Sequence, residues 1–597
     1  MSRGAAALLA LPRLVRSLAG IINAPTTLPD SRRLIRQRVE NREQQFLAMA
    51  ARYIYGDLPS PYRQLLDHAG FAYGDLQALV RRAGLERTLE ALRDAGVYLS
   101  FEEFKGRTVV VRGGRTFHFA ERQFDNPLLG VGVPVRTGGS RSRGSAVTLG
   151  LSFLADHAAP TACVAAEALQ AVGLPLVLWL AGLDPERMAV VLVAMGRAPA
   201  AAWRLSPPHD AGSARRVQVL HALTRVLARR RGLRVPKTSF LPVAEVARAL
   251  EALLRLRDRF GACSLMTSPS AAVRLAAAAA ARGESLQGLR IFATMEPLTA
   301  GKFQEIRRSG ATVGSLYVFT EGGAAAVCCG TGTAPDDMHL MTDSFALIKN
   351  RRPMVGIGEL DAYMFTSLAA APPKILLNVE SDDFGDLTVR RCGCPLDGLG
   401  LHTHLAYVRS FAKLTGEGAT ILGTDVVRIL EEVLPREFGG RSIDYQLLER
   451  ETAERLTRLD LLVSPAVGPV DEGRLRERFL AELRRGPNRG VGLWEQAESI
   501  RVLRREPVPT PRGKVLPFQT QAADAFRLYT PSVSATAASA PVPAGKDAPA
   551  DRGKAGPTER FRWGGDQDER RSCGAAVAAA FDPEPGGDRE SSGDAPG

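Results

Sequence analysis

Within Leu316 to Gly323, LYVFTEGG, an aromatic ring, a hydroxyl and a carboxylate follow one another in a single short stretch of chain. Tyr317 offers a stacking face and Thr320 a hydroxyl for a phosphate. Glu321 offers a carboxylate for magnesium, a hard cation that takes oxygen ligands and shares them with phosphate. Gly322 and Gly323 would let the backbone approach a ligand closely, but a buried strand ending in a glycine turn carries the same pattern. Taken alone, the octet leaves both alternatives open.

Two other stretches have residue types suited to chemistry. Thr137, Gly138, Gly139 and Ser140 open a Gly- and Ser-rich segment that runs to Gly144, with Arg136, Arg141 and Arg143 beside it. Its backbone N–H groups and hydroxyls suit phosphates, and the arginines could add charge-assisted bonds. It is not a Walker loop, because the Gly-Lys-Ser/Thr ending is missing. A surface loop has the same composition. Cys328-Cys329, His339 and Cys392-Gly-Cys394 make up the other set. Soft thiolates and an imidazole suit tetrahedral zinc, and a Cys-x-Cys turn supplies two ligands from one loop. Only one of the adjacent cysteines is needed, and Cys329, on the turn side, is preferred to Cys328. Four protein ligands would make the site structural, since catalytic zinc keeps a position open for water. Ordinary buried thiols are the alternative. His402 and His404 flank Thr403 in what looks like an exposed polar loop.

The elements that must position these residues follow from periodicity. Residues 30–105 carry apolar side chains at helical spacing, and Thr108 to Phe119 alternates as a hairpin would, with Gly113-Gly114 at the turn. Between residues 160 and 300 helical patterns alternate with short apolar runs, which predicts α/β layering with largely parallel strands. Ligands then sit at the carboxyl ends of the strands, where IFATMEPL and LYVFTEGG both finish. After Asp386 short strands and the helical DEGRLRERFLAELRR predict a smaller α+β unit that begins near Arg409 and ends at PVPTPRGKVLPF. From about residue 531 the chain is rich in Ala, Pro, Ser, Gly and Asp, a composition expected to stay disordered.

Composition bounds the setting. Seven cysteines in 597 residues form no disulfide framework, so a reducing cytoplasm is expected. The net charge of +13 lies in arginines scattered along amphipathic helices without interleaved aromatics, so no nucleic-acid partner is expected. The most apolar stretch, Leu174 to Ala202, is interrupted by Asp184, Glu186, Arg187 and Arg197, so no stable membrane insertion is expected. The basic N-terminus, free of acids until Asp30, is taken as an ordinary leading helix.

In their order along residues 40–520 these pieces resemble the adenylate-forming (AMP-binding) enzymes, and among them the phenylacetate-CoA ligase-like branch. Thr137, Gly138, Gly139 and Ser140 resemble that family's phosphate loop. Met295-Glu296-Pro297 resembles its adenine-flanking segment, and Tyr317 to Glu321 its Tyr-Gly-x-Thr/Ser-Glu motif. Asp386, in FGDL, resembles the acid that holds the ribose hydroxyls. Arg409 resembles the hinge arginine, and Lys514, in PRGKV, the lysine that drives adenylation. The cysteines and His339 resemble the zinc site of this branch.

The resemblance implies a large N-terminal AMP-binding domain, with sheets layered by helices, and a small α+β C-terminal lid. The expected spans are 1–125 for a helical N-terminal part, 126–405 for the AMP-binding core, 406–530 for the lid and 531–597 for the tail. It implies an AMP-forming acid-thiol ligase that uses ATP and Mg2+, carries structural Zn2+, and transfers an acyl group to CoA; the mostly apolar Phe240 to Met266 and Ile291 to Phe319, expected to line the pocket, favour an aryl or fatty acid. The phosphate loop departs from the pattern in lacking the later Pro-Lys, with Arg141 or Arg143 in its place. Val318-Phe319 replace the usual Gly-x, and Phe411 stands where the lid's pivotal Asp is common. The acceptor therefore stays open among CoA, a carrier protein, an amine and a partner protein, and a zinc-stabilised scaffold without the chemistry is a further alternative.

Overall fold

The computed structural model describes residues 3–520 apart from short stretches, the longest being 137–145, 207–210, 486–490 and 509–516. The expected tail, 531–597, lies outside the described residues. The fold is mixed α/β, built on one twelve-stranded sheet with helices layered on it. Its parallel half contains Thr312–Phe319, Leu289–Ala293, Cys263–Thr267, Leu176–Leu180, Ala201–Arg204 and Ser239–Phe240, in that spatial order. Its antiparallel half continues from Thr312–Phe319 through Gly323–Cys328, Met338–Leu340, Thr403–Ser410, Val379–Val389, Gly358–Ser367 and Phe345–Met354.

Leu176–Leu180 shows why the parallel strands read as unbroken apolar runs. Val177 and Trp179 enter one core with Leu253 and Leu265, while Leu176, Leu178 and Leu180 enter another with Val164 and Leu192. Alternate side chains point to opposite faces, and helices cover both. Val246–Phe260 buries Ala249, Leu250, Leu253 and Leu256, the stripe set by its 3.6-residue period, and ends at Gly261 in the left-handed conformation (φ 75°). The N-terminal helices between Arg42 and Phe104 pack chiefly on the antiparallel half. There Phe46, Leu65, Leu76 and Leu89 join Phe345, Leu347, Met364 and Phe365 in one core. The expected hairpin is present, pairing Val110 with Phe117 around Gly113-Gly114, both at positive φ.

A separate four-stranded sheet closes the described chain, in the order Ile500–Arg504, Thr457–Val463, Tyr445–Glu451, Phe518–Thr520. The helix Glu472–Arg485 covers it with Leu475, Phe479 and Leu483, and Trp494 is fully enclosed. The apolar side chains of this sheet belong to the same contiguous cluster as Trp179 and Leu253. Thr403–Ser410, which carries Arg409, belongs to the large sheet. Trp494→Ala should lower stability by about 3–5 kcal/mol, as removal of a fully buried aromatic does. Val226→Ala, at a 59% exposed position, should leave it nearly unchanged, both read from denaturant unfolding.

Candidate nucleotide site and cysteine cluster

Thr312–Phe319 pairs in parallel with Leu289–Ala293 over Thr312 to Ser315, then antiparallel with Gly323–Cys328 over Leu316 to Phe319. The sheet changes sense within this strand, and the turn that carries Thr320 and Glu321 follows it directly. Both glycines of the motif are required by packing. A Cβ on Gly322 would lie 2.5 Å from the Phe319 ring and 2.7 Å from Phe345, and Gly323 has φ +86° with Phe153 2.7 Å from the position of a Cβ.

Tyr317 donates its hydroxyl to Asp383 Oδ2 at 2.6 Å, and its ring lies 6.0 Å from that of Phe365. Burial, and then the charge of Asp383, push the Tyr317 hydroxyl pKa well above its ordinary value, so it stays protonated and donates. Asp383, which sequence reasoning missed, sits on the same strand as Asp386. That strand has a bulge between Phe384 and Asp386, where Gly385 meets the Tyr363 hydroxyl so closely that a Cβ would lie 2.5 Å from it. Arg409, on the neighbouring strand, donates to Asp336 Oδ2 at 3.1 Å. Asp336 also accepts the N–H groups of Tyr407 and Val408, at 2.8 and 3.1 Å.

Glu321 is engaged by a lysine. Lys105 Nζ lies 2.7 Å from Glu321 Oε1 and 3.0 Å from Glu121 Oε1, with its side chain only 6% exposed. Burial opposes the Glu321 charge, but the Lys105 ammonium outweighs it and holds the carboxyl below its ordinary range. Glu296, expected beside adenine, is 7% exposed and accepts from the N–H and hydroxyl of Ser270 and from Lys302 Nζ at 3.3 Å. Lys302 also donates to Thr457 Oγ1 at 2.8 Å, in the small sheet. Met295, with φ +74°, turns the chain ahead of Glu296 and Pro297. Thr137, Gly138, Gly139, Ser140 and Lys514 lie outside the described residues, as does Phe411. The structure thus brings Tyr317 to the strand that carries Asp386, through Asp383, whereas Glu321 is engaged by Lys105 and Glu296 is committed to a buried ion pair.

The signal that could have found the buried cations is composition. Only nine of the 77 basic residues are lysine, and three of those nine, Lys105, Lys302 and Lys374, are buried in ion pairs.

The donor atoms of Cys329, His339, Cys392 and Cys394 all lie within 4.8 Å of one another. His339 is fully buried and shares its Nδ1 proton with the Leu401 carbonyl at 2.5 Å. That turns Nε2 toward the sulfurs of Cys394 and Cys392, at 3.1 and 3.5 Å. Cys328 instead faces the core, where a Cβ on Gly314 would lie 2.5 Å from its own Cβ. Asp337, also missed from the sequence, forms a buried pair with His404 at 2.7 Å, with the His404 ring 4.1 Å from that of His339. His404 is buried in a strand, where a polar loop was expected.

His157 lines a small cavity with Gly322, Thr161 and Ser344. Its Nδ1 lies 3.2 Å from Arg38 Nη1 and 3.5 Å from Ser344 Oγ. Burial, and then Arg38, push its pKa down to about 3, so the fold requires neutral imidazole. The unfolded chain binds the proton near pH 6.5, so this stability is complete above that pH and is lost as pH falls toward 3. His157→Asn should therefore lose less stability than the parent between pH 7 and pH 5, by about 1.4 kcal/mol per pH unit below the unfolded pKa, in denaturant titrations at the two pH values.

No protein-family model matches the chain, and no curated protein matches it. Solved structures similar to it include a 2-hydroxyisobutyryl-CoA ligase in complex with 2-HIB-AMP and CoA (15% identity, 83% of this chain and 91% of that one, TM-score 0.47). An amide bond synthetase from Marinactinospora thermotolerans is similar at 13% identity over 79% of this chain and 93% of that one, with a TM-score of 0.36. A Brucella canis acyl-CoA synthetase is similar at 15% identity over 63% and 61%, with a TM-score of 0.29. At these TM-scores the case for an activity rests on this chain's own residues.

Proposed function

We propose that this protein is an AMP-forming ligase that activates a carboxylic acid with ATP and passes the acyl group to CoA or another thiol. The observation that supports this proposal is that the Tyr317 to Glu321 segment lies at the point where the sheet changes sense, with Tyr317 hydrogen-bonded to Asp383 of the strand that bears Asp386. Ligands of open α/β sheets sit outside the carboxyl ends of the strands, and Thr320 and Glu321 directly follow such an end. The acid's carboxylate oxygen attacks the α-phosphorus of ATP, the bond to the bridging oxygen breaks, and pyrophosphate leaves with its electron pair. The acceptor thiolate then displaces AMP from the acyl carbon. Tyr317, anchored by Asp383, presents a fixed ring for stacking, Thr320 offers its hydroxyl to phosphate, and Asp386 and Arg409 take the ribose and phosphate side.

In this proposal 1–125 and 126–405 form the large body, and of the expected lid, 406–530, the part beyond the large-sheet strand Thr403–Ser410 carries Lys514 to the α-phosphate. Magnesium travels with the nucleotide and offsets the charge of its phosphates. The mostly apolar Phe240 to Met266 and Ile291 to Phe319 favour an aryl or fatty acid and a phenylacetate-CoA ligase-like specificity. No described helix is long and apolar enough to cross a membrane, and cytoplasmic residence belongs to the same proposal. Pyrophosphate release should depend on one class of acid in a panel of aryl, fatty and amino acids. Lys514→Ala should slow it by about 10²–10³, the effect of losing one preorganised charge. Absence of release with every acid, from folded protein, would overturn the proposal in favour of a scaffold.

The cysteine cluster fits zinc by the chemistry of its donors: three sulfurs and an imidazole whose tautomer is set by Leu401. Cys329, His339, Cys392 and Cys394 would fill all four positions, leaving the ion structural. It would tie the turn after Gly323–Cys328 to the segment after Val379–Val389, and so hold the register between Tyr317 and Asp383. Elemental analysis should find one zinc per chain, lost in Cys394→Ser and kept in Cys328→Ser, with chelation lowering the melting temperature.

A further inference from the structure

Lys105 belongs to no motif, yet it occupies a demanding position. Its ammonium bridges two carboxylates, Glu321 at 2.7 Å and Glu121 at 3.0 Å. It also lies 5.5 and 5.4 Å from the rings of Phe101 and Phe104. Lys374, with a side chain 0% exposed, backs the same turn. Its backbone N–H donates to the Glu321 carbonyl at 3.3 Å, and its ammonium pairs with Asp125 at 2.5 Å. A divalent cation shared by Glu121 and Glu321 would have to occupy the space that the Lys105 ammonium holds. The two positive charges would repel strongly in a site so far removed from water. Glu321 therefore does not fit as a magnesium ligand in this structure.

We infer that Lys105 is a tethered cation that stands in for the metal at Glu321, a positioning residue that sets the charge and orientation of the turn Thr320–Gly322. Magnesium is then held by the nucleotide's own phosphates. This rests on the proposed ATP chemistry only in placing a nucleotide near Glu321. The pairing of Lys105 with two carboxylates stands without it. The inference also accounts for a lysine rather than an arginine at position 105, since a compact ammonium has the shape of a metal ion and a planar guanidinium does not.

The probe is Mn2+ alone, added without nucleotide to zinc-replete full-length protein and followed by electron paramagnetic resonance of the free ion. The parent protein should show no saturable Mn2+ site that depends on Glu321. Lys105→Gln should open one between the two vacated carboxylates, tightening Mn2+ binding by about tenfold or more, since hard cations follow carboxylate count. Lys105→Gln combined with Glu321→Gln should abolish it, and Lys105→Arg, which keeps the charge, should not create it. A site in the parent protein that Glu321→Gln removes would overturn the inference, as would a folded Lys105→Gln variant that gains nothing. If Lys105→Gln does not fold, the comparison of the parent with Glu321→Gln still decides. Because no nucleotide is present, the result is independent of whether pyrophosphate is ever released.

Discussion

The fold turns on a single hairpin. Thr312–Phe319 must complete a parallel ladder on one side and open an antiparallel one on the other, and it can do so only if the chain reverses within three residues, between Phe319 and Gly323. That reversal depends on two glycines pressed against the rings of Phe319, Phe345 and Phe153. Each half of the sheet is assembled outward from this point. The parallel strands stack under helices supplied by the alternating pattern, and the antiparallel strands bring Asp383 back against Tyr317. The same constraint fixes the cysteine cluster, since Cys329 is the first residue beyond the returning strand and His339 lies on the strand paired with it.

Much of this was legible in the sequence. The helical periods of residues 30–105, the hairpin around Gly113-Gly114 and the buried strands of residues 160–300 all follow from patterns with a local cause, side-chain alternation and turn chemistry. The cysteine set was also legible, because thiolates and an imidazole are few and their joint presence is conspicuous. The structure further separates Cys328 from Cys329 by the direction in which a strand's last residue points.

What could not be read were pairings between distant residues. Glu296 looks like a cleft carboxylate in sequence, and its commitment to Ser270 and Lys302 arises only when two helices and a strand end meet. Asp383, three residues from the acid that the motif singled out, becomes the partner of Tyr317 because a bulge shifts the register of its strand. His404 was expected on an exposed loop, but the strand Thr403–Ser410 carries it inward to Asp337. In each case the residue type is visible and its partner is not, since burial and long-range pairing decide what a polar side chain does.

The bond from Lys302 to Thr457 has a kinetic meaning. Lys302 sits on the helix Ala300–Arg308 of the large body, Thr457 begins a strand of the small sheet, and the ammonium between them is 2% exposed. Any swing of the small sheet away from that helix removes a charged hydrogen bond before water can replace it. Such a bond is worth about 1.5–3 kcal/mol, which slows the departure by about one to two orders of magnitude. The small sheet is therefore held by a charged clasp in addition to the apolar cluster that it shares with the large body, and the clasp's strength would be felt as a waiting time.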